Sequence, residues 1–142
     1  MLKLRKNKKG FTLVELIVVI AIMAVLAGTV AGVTVTQLNK RTDEANHTQA
    51  KKIADTIYEE LLANVETKIS ADDMKKAVED AYGTSIISDT LTAGKTFKVT
   101  YAEDSETGTY SVEYKGKSNK GDIKYTITSK DGVIKVANYT AG

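Results

Sequence analysis

The chain has 142 residues, a formal net charge of +2, no cysteine and no proline. Disulfides, thiol chemistry and cysteine-ligated metal are therefore excluded, and any long helix lacks its usual kink-maker. Lys3, Arg5, Lys6, Lys8 and Lys9 all fall in the first ten residues; from residue 11 onward 15 basic side chains face 18 acidic ones, net −3, which argues against a nucleic-acid footprint.

The basic tip, residues 1–10, is followed by an apolar block. From Gly10 to Asn39 the sole charge is Glu15, and Leu16 to Ala27 reads LIVVIAIMAVLA. A membrane span needs roughly 20 apolar residues, so 11–35 qualifies. By the positive-inside rule the lysines hold the N-terminus in the cytoplasm and send the remainder outside. An ordinary secretory signal with a cut near Val25-Leu26-Ala27 is the simpler rival. Two features oppose it. The apolar run continues past that point, and a carboxylate stands inside it, where charge opposes insertion.

Glu15 has a local explanation. Thr12-Leu13-Val14-Glu15 matches a capping box, with Thr12 as N-cap and Glu15 reaching back to the Thr12 amide. Its second explanation is an ion pair between subunits. A cut after Gly10 would give Phe11 a free amine with a pKa near 8. At membrane depth that cation and the Glu15 of a neighbouring helix would neutralise each other.

The stretch KKGFTLVELIVVIAIMAVLAG strongly resembles the class III signal of type IV pilins. The resemblance covers about the first 30 residues. It implies that a membrane-embedded prepilin peptidase cuts between Gly10 and Phe11 and that the new N-terminal Phe11 is N-methylated. It also implies that Glu15 pairs with the amine of a neighbouring subunit during assembly. An assembly ATPase and a polytopic membrane platform are implied as further partners. The chain departs from many family members in two ways. Gly32 stands where they have a proline, and there is no cysteine to close a C-terminal loop. The latter is similar to the pilins of Gram-positive bacteria.

Gly28 and Gly32 form a GxxxG motif, which permits close helix packing. Residues 28–36 (GTVAGVTVT) also hold six β-branched residues, all weak helix formers. Flexibility in the filament is the expectation favoured over a dimer motif.

Residues 36–65 return to helical periodicity. Ile53, Ile57 and Leu61 recur every fourth residue, and Ala50, Ala54, Tyr58, Leu62 and Val65 widen the stripe. Helix from Thr12 to Val65 would measure roughly 80 Å, far beyond one span, so its second half must support a head outside the membrane. The head, 66–142, opens with a short helix. Ser70 or Asp72 caps it, Met74, Ala77, Val78 and Ala81 face inward, and Gly83 stops it.

Beyond residue 90 the period becomes two. Phe97, Val99 and Tyr101 form one alternating set; Tyr110, Val112 and Tyr114 a second; Ile123, Tyr125 and Ile127 a third. Val133 to Tyr139 is a fourth strand, entered through an Asp131-Gly132 turn. The expected class is α+β: a long N-terminal helix, membrane-spanning then amphipathic, packed on a roughly four-stranded antiparallel sheet. The head is expected to be marginal without the helix, since it is small and lacks disulfides.

Little else suggests chemistry. His47, the one histidine, is expected to be solvated on the polar helix face. Gly94-Lys95-Thr96 ends like a P-loop, but the first required glycine is Asp89 and a strand follows. Glu103-Asp104-Ser105-Glu106 lacks the spacing of a known Ca²⁺ loop. Asn46-His47-Thr48 and Asn138-Tyr139-Thr140 match the glycosylation sequon, which carries little weight in a bacterial chain.

No cofactor, metal or catalytic set is expected, and enzyme is the least favoured class. The expected function is the structural subunit of a type IV pilus. It would be a helical homopolymer of open symmetry, anchored by one span in the cytoplasmic membrane before assembly and extracellular afterwards. It would serve adhesion, aggregation or twitching-type motility. A pseudopilin of secretion or DNA uptake is the first alternative, and a monomeric membrane-anchored binding protein the second.

Overall fold

The structure, a computed structural model, describes residues 10, 12–65, 67–103 and 107–140. The elements in order are α1 (Leu13–Ala63), α2 (Ala71–Tyr82), β1 (Phe97–Thr100), β2 (Thr107–Tyr114), β3 (Ile123–Lys130) and β4 (Val133–Thr140). The chain forms two compact units that divide after Thr36, within α1.

In the first unit the described residues from Leu13 on are one continuous helix, exposed throughout. Its most apolar 18-residue window has a mean hydropathy of 2.8 and no buried residue. An α-helix apolar on every side has no face to turn toward water, which is the pattern of a membrane or bundle-core helix.

The second unit is built around the C-terminal part of α1. Ala50, Ile53, Ala54, Ile57 and Leu61 are buried at helical spacing. They pack with Met74 and Val78 of α2 and with Phe97, Val99, Tyr110, Val112, Tyr114, Ile123 and Ile127 of the sheet. The sheet is antiparallel throughout, in the order β1-β2-β3-β4. Consecutive hairpins give this order directly, and the helix covers the apolar face that results. This is the α+β arrangement expected above.

The local signals act as their chemistry predicts. Ser70 Oγ caps α2 by accepting from the Asp73 amide. Gly83, at φ 80°, ends it with its amide on Glu79 O. Only Asp131 and Gly132 separate β3 from β4, at φ 52° and 75°. Positive φ at both positions makes the two-residue primed turn that matches strand twist. Tyr82 Oη ties the end of α2 to α1 through Lys52 O (2.8 Å) and Thr56 Oγ1 (2.6 Å).

Three expectations need correction. Leu62 and Val65 are about half exposed, because they lie past the edge of the buried stripe. Ala81 is exposed and Ala77 only half-buried, since a single α2 face of Met74 and Val78 suffices to reach the core. Tyr101 falls just beyond β1 and is half-buried. The fourth strand forms as expected: β4 is an edge strand with seven of its eight residues exposed. Val136 pairs with the fully buried Ile127 yet is 46 % exposed; β4 packs against the core cluster through Ile134. Of the acidic tip only Glu103 is described; residues 104–106 lie outside the described residues.

Candidate assembly determinants and the helix-to-loop clasp

The capping box at the start of α1 is formed. Glu15 Oε2 accepts from the Thr12 amide at 3.3 Å, and Thr12 Oγ1 accepts from the Glu15 amide at 3.2 Å. The Leu16 amide donates to Thr12 O at 3.2 Å. Three of the amides that open the helix are thereby satisfied by Thr12 and Glu15. Both residues lie downstream of the Gly10–Phe11 bond, so a cut there would leave the cap intact. A carboxylate accepts more bonds than this one, so capping leaves Glu15 able to take a second donor. Phe11 lies outside the described residues.

Gly10 is exposed, with open space where a Cβ would stand. Gly28 and Gly32 also meet nothing within 4 Å. They are four residues apart and so share one helix face. The helix is unbroken through 28–36 in the single chain. Its threonines are absorbed by the backbone: Thr29 Oγ1 donates to Leu26 O (3.0 Å), Thr34 Oγ1 to Val30 O (2.8 Å) and Thr36 Oγ1 to Gly32 O (3.1 Å). Such back-bonding hides hydroxyls that lipid could not satisfy.

Residues 5–31 match the family model for the prokaryotic N-terminal methylation motif. The chain carries a class III prepilin signal. Gly10, Phe11, Glu15 and Gly28 fall within the matched methylation motif, and Gly32 one residue beyond it. This signal is common to type IV pilins and pseudopilins and implies processing by a prepilin peptidase. No curated protein and no solved structure matches the chain.

Downstream of the prepilin signal, the second unit holds a constellation that sequence reasoning missed. Asp43 of α1 is 2 % exposed. Its Oδ1 accepts from Tyr114 Oη (2.8 Å) and the Lys117 amide (2.9 Å). Its Oδ2 accepts from the Ser118 amide (2.8 Å) and Ser118 Oγ (2.5 Å). One carboxylate thus clasps the β2–β3 loop, residues 115–122, onto the helix. Burial by itself raises the Asp43 pKa, but the bonds from Ser118, Lys117 and Tyr114 outweigh it and bring the carboxyl down to about 2. Burial, and then the bond to Asp43, push the Tyr114 phenol up to about 12.

Neighbouring residues complete the clasp. Asn46 Nδ2 donates to Tyr114 Oη (3.0 Å) and Gly94 O (3.3 Å). That engages the side chain of the first sequon. His47 Nε2 lies 2.5 Å from Gly121 O, and its ring meets Tyr114 edge-on at 5.8 Å. The expectation of a solvated His47 is therefore corrected: the helix face it occupies is covered by the loop. A Cβ on Gly121 would collide with the Asp43 carboxylate and one on Gly116 with the Gly121 backbone, so the loop approaches this closely only because both are glycine. Gly121→Ala is expected to destabilise the second unit by about 2 kcal/mol, seen as a lower denaturant midpoint with unchanged slope.

The one sequence signal for the clasp was the pair Gly116 and Gly121 flanking a polar loop. Nothing local distinguishes Asp43 from Glu44 beside it. Among the described residues no cluster of three or more metal-ligating side chains occurs.

Proposed function

We propose that the chain is the structural subunit of a type IV pilus. It is cut between Gly10 and Phe11, N-methylated on Phe11, and polymerised through its N-terminal helices into a surface filament. The carrying observation is the coincidence of the prepilin signal with an apolar helical segment that buries no residue in the single chain. Such a helix needs an apolar surround: lipid before assembly and neighbouring copies of itself after. The amphipathic part of α1 belongs to the second unit, which would be carried to the filament surface. Assembly machinery, adhesion, aggregation and motility belong to this proposal as consequences of filament formation.

The decisive experiment is intact-mass and N-terminal sequencing of the mature chain, expected to begin at N-methylated Phe11. A start at Gly28 would refute the proposal. Gly10→Val should block processing by crowding the cut site, so that precursor accumulates on an immunoblot; normal maturation of that variant would contradict the assigned bond. A pseudopilin shares the same signal. Electron microscopy of cells expressing the native protein separates the two readings by fibre length.

A further inference from the structure

The outer face of the sheet, opposite the core, carries a row across all four strands. Lys98, Glu113, Lys124 and Tyr139 are neighbours by register. At this end of the sheet lies an open cleft of about 390 Å³, lined among others by Leu91, Glu113, Lys115, Asp122, Lys124 and Tyr139. The volume falls within the roughly 300–1,000 Å³ of small-ligand sites.

The walls are held in place. Lys124 Nζ and Glu113 Oε1 pair at 2.8 Å across the floor. The Gly116 amide donates to Asp122 Oδ1 at 2.8 Å. The loop before β1 is tied to the opposite wall by the Gly94 amide on Lys115 O at 2.8 Å. Behind that wall stands the Asp43 clasp at Lys117 and Ser118. A cleft fixed beforehand loses little freedom on binding.

We propose that this cleft binds a neutral pyranose sugar of a surface polysaccharide. Its two carboxylates and two ammonium groups balance, so neither an anionic nor a cationic ligand is favoured. Sugar hydroxyls both donate and accept, which suits Glu113 and Asp122 as acceptors and Lys115 and Lys124 as donors. Tyr139 lines the cleft and is 67 % exposed, so an aromatic ring is available to pack on the C–H face of a sugar. An extended peptide would add along the free edge of β4 beside the cleft rather than on its floor, which is the face of the paired strands β2 and β3. The proposal does not depend on filament formation.

The test is saturation-transfer NMR on the full chain in dodecylphosphocholine micelles, which contain no sugar. The probes are methyl β-D-glucopyranoside and tri-N-acetylchitotriose, with a sulfated heparin tetrasaccharide as the anionic control. At least one neutral probe should receive saturation on its ring protons, and the sulfated one none. Tyr139→Phe should bind as the wild type, while Tyr139→Ala should bind about tenfold more weakly. Lys115→Ala, at an exposed side chain, should weaken binding roughly threefold. Failure of both neutral probes overturns the proposal, as does preference for the sulfated sugar or undiminished binding by Tyr139→Ala.

Discussion

Glu15→Gln is expected to insert in the membrane and to be cut after Gly10, yet to form no filament; Glu15→Ala should behave the same way. The choice of glutamine separates two roles. In a capping box glutamine serves nearly as well as glutamate, so a purely local role predicts normal filaments from Glu15→Gln. The observed cap, Glu15 Oε2 on the Thr12 amide, needs an acceptor but no charge. An ion pair with the Phe11 amine of a neighbour needs the charge. Removing one partner of a buried pair leaves the other uncompensated and costs about 3 kcal/mol, roughly a hundredfold in each subunit addition. Sheared-filament yield and membrane content, measured together, check it. Normal filament yield from Glu15→Gln would leave the cap as the whole explanation of this residue.

Asp43→Ala is expected to lower the stability of the second unit by about 3 kcal/mol. The substitution strips the acceptor from two loop amides, Ser118 Oγ and the Tyr114 phenol together. Donors left unpaired beside a buried site are more costly than the bonds were worth. The same residue predicts a pH window. Its carboxyl is held down at about 2 in the folded chain, against 3.8 for an ordinary aspartate. A depressed acid stabilises the folded state fully above the unfolded value and loses that contribution as pH falls through the folded one. About 2 kcal/mol should thus fade between pH 5 and pH 2. Asp43→Asn lacks this titration, so the stability gap between it and the wild type should shrink by that amount over the same interval. Denaturant unfolding of the full chain in detergent, followed by the fluorescence of its seven tyrosines, reads both effects. A gap that stays constant with pH would show that the Asp43 carboxyl is not held low.

The second unit was legible wherever a signal was local. Periodicities of four and two placed α1, α2 and the strands, and single residues such as Ser70, Gly83 and Asp131-Gly132 placed their ends. The misjudged residues share one cause. Leu62, Val65 and Ala81 have the same apolar chemistry as their buried neighbours, and what exposes them is where the opposing surface stops. His47 has the reverse history. It sits on a polar helix face, but a loop some 74 residues away in sequence closes over it. Ser111 is likewise buried, between Tyr110 and Val112 on the opposite face of β2, which strand alternation alone does not reveal.

The prepilin signal, the membrane-length apolar block and the α+β class are determined by the sequence alone, because each rests on residues within a few turns or strands of one another. Proximity in the chain is enough to fix a cut site, a cap or a hairpin. The clasp of Asp43 on residues 117 and 118 and the cleft between Leu91 and Tyr139 were decided only by tertiary structure. They join groups separated by tens of residues, and their energies depend on burial and on the closeness of approach that Gly116 and Gly121 allow. A carboxylate at position 43 has no distinctive neighbour along the chain; it becomes a clasp only when the sheet brings a loop of donors onto it and water is excluded.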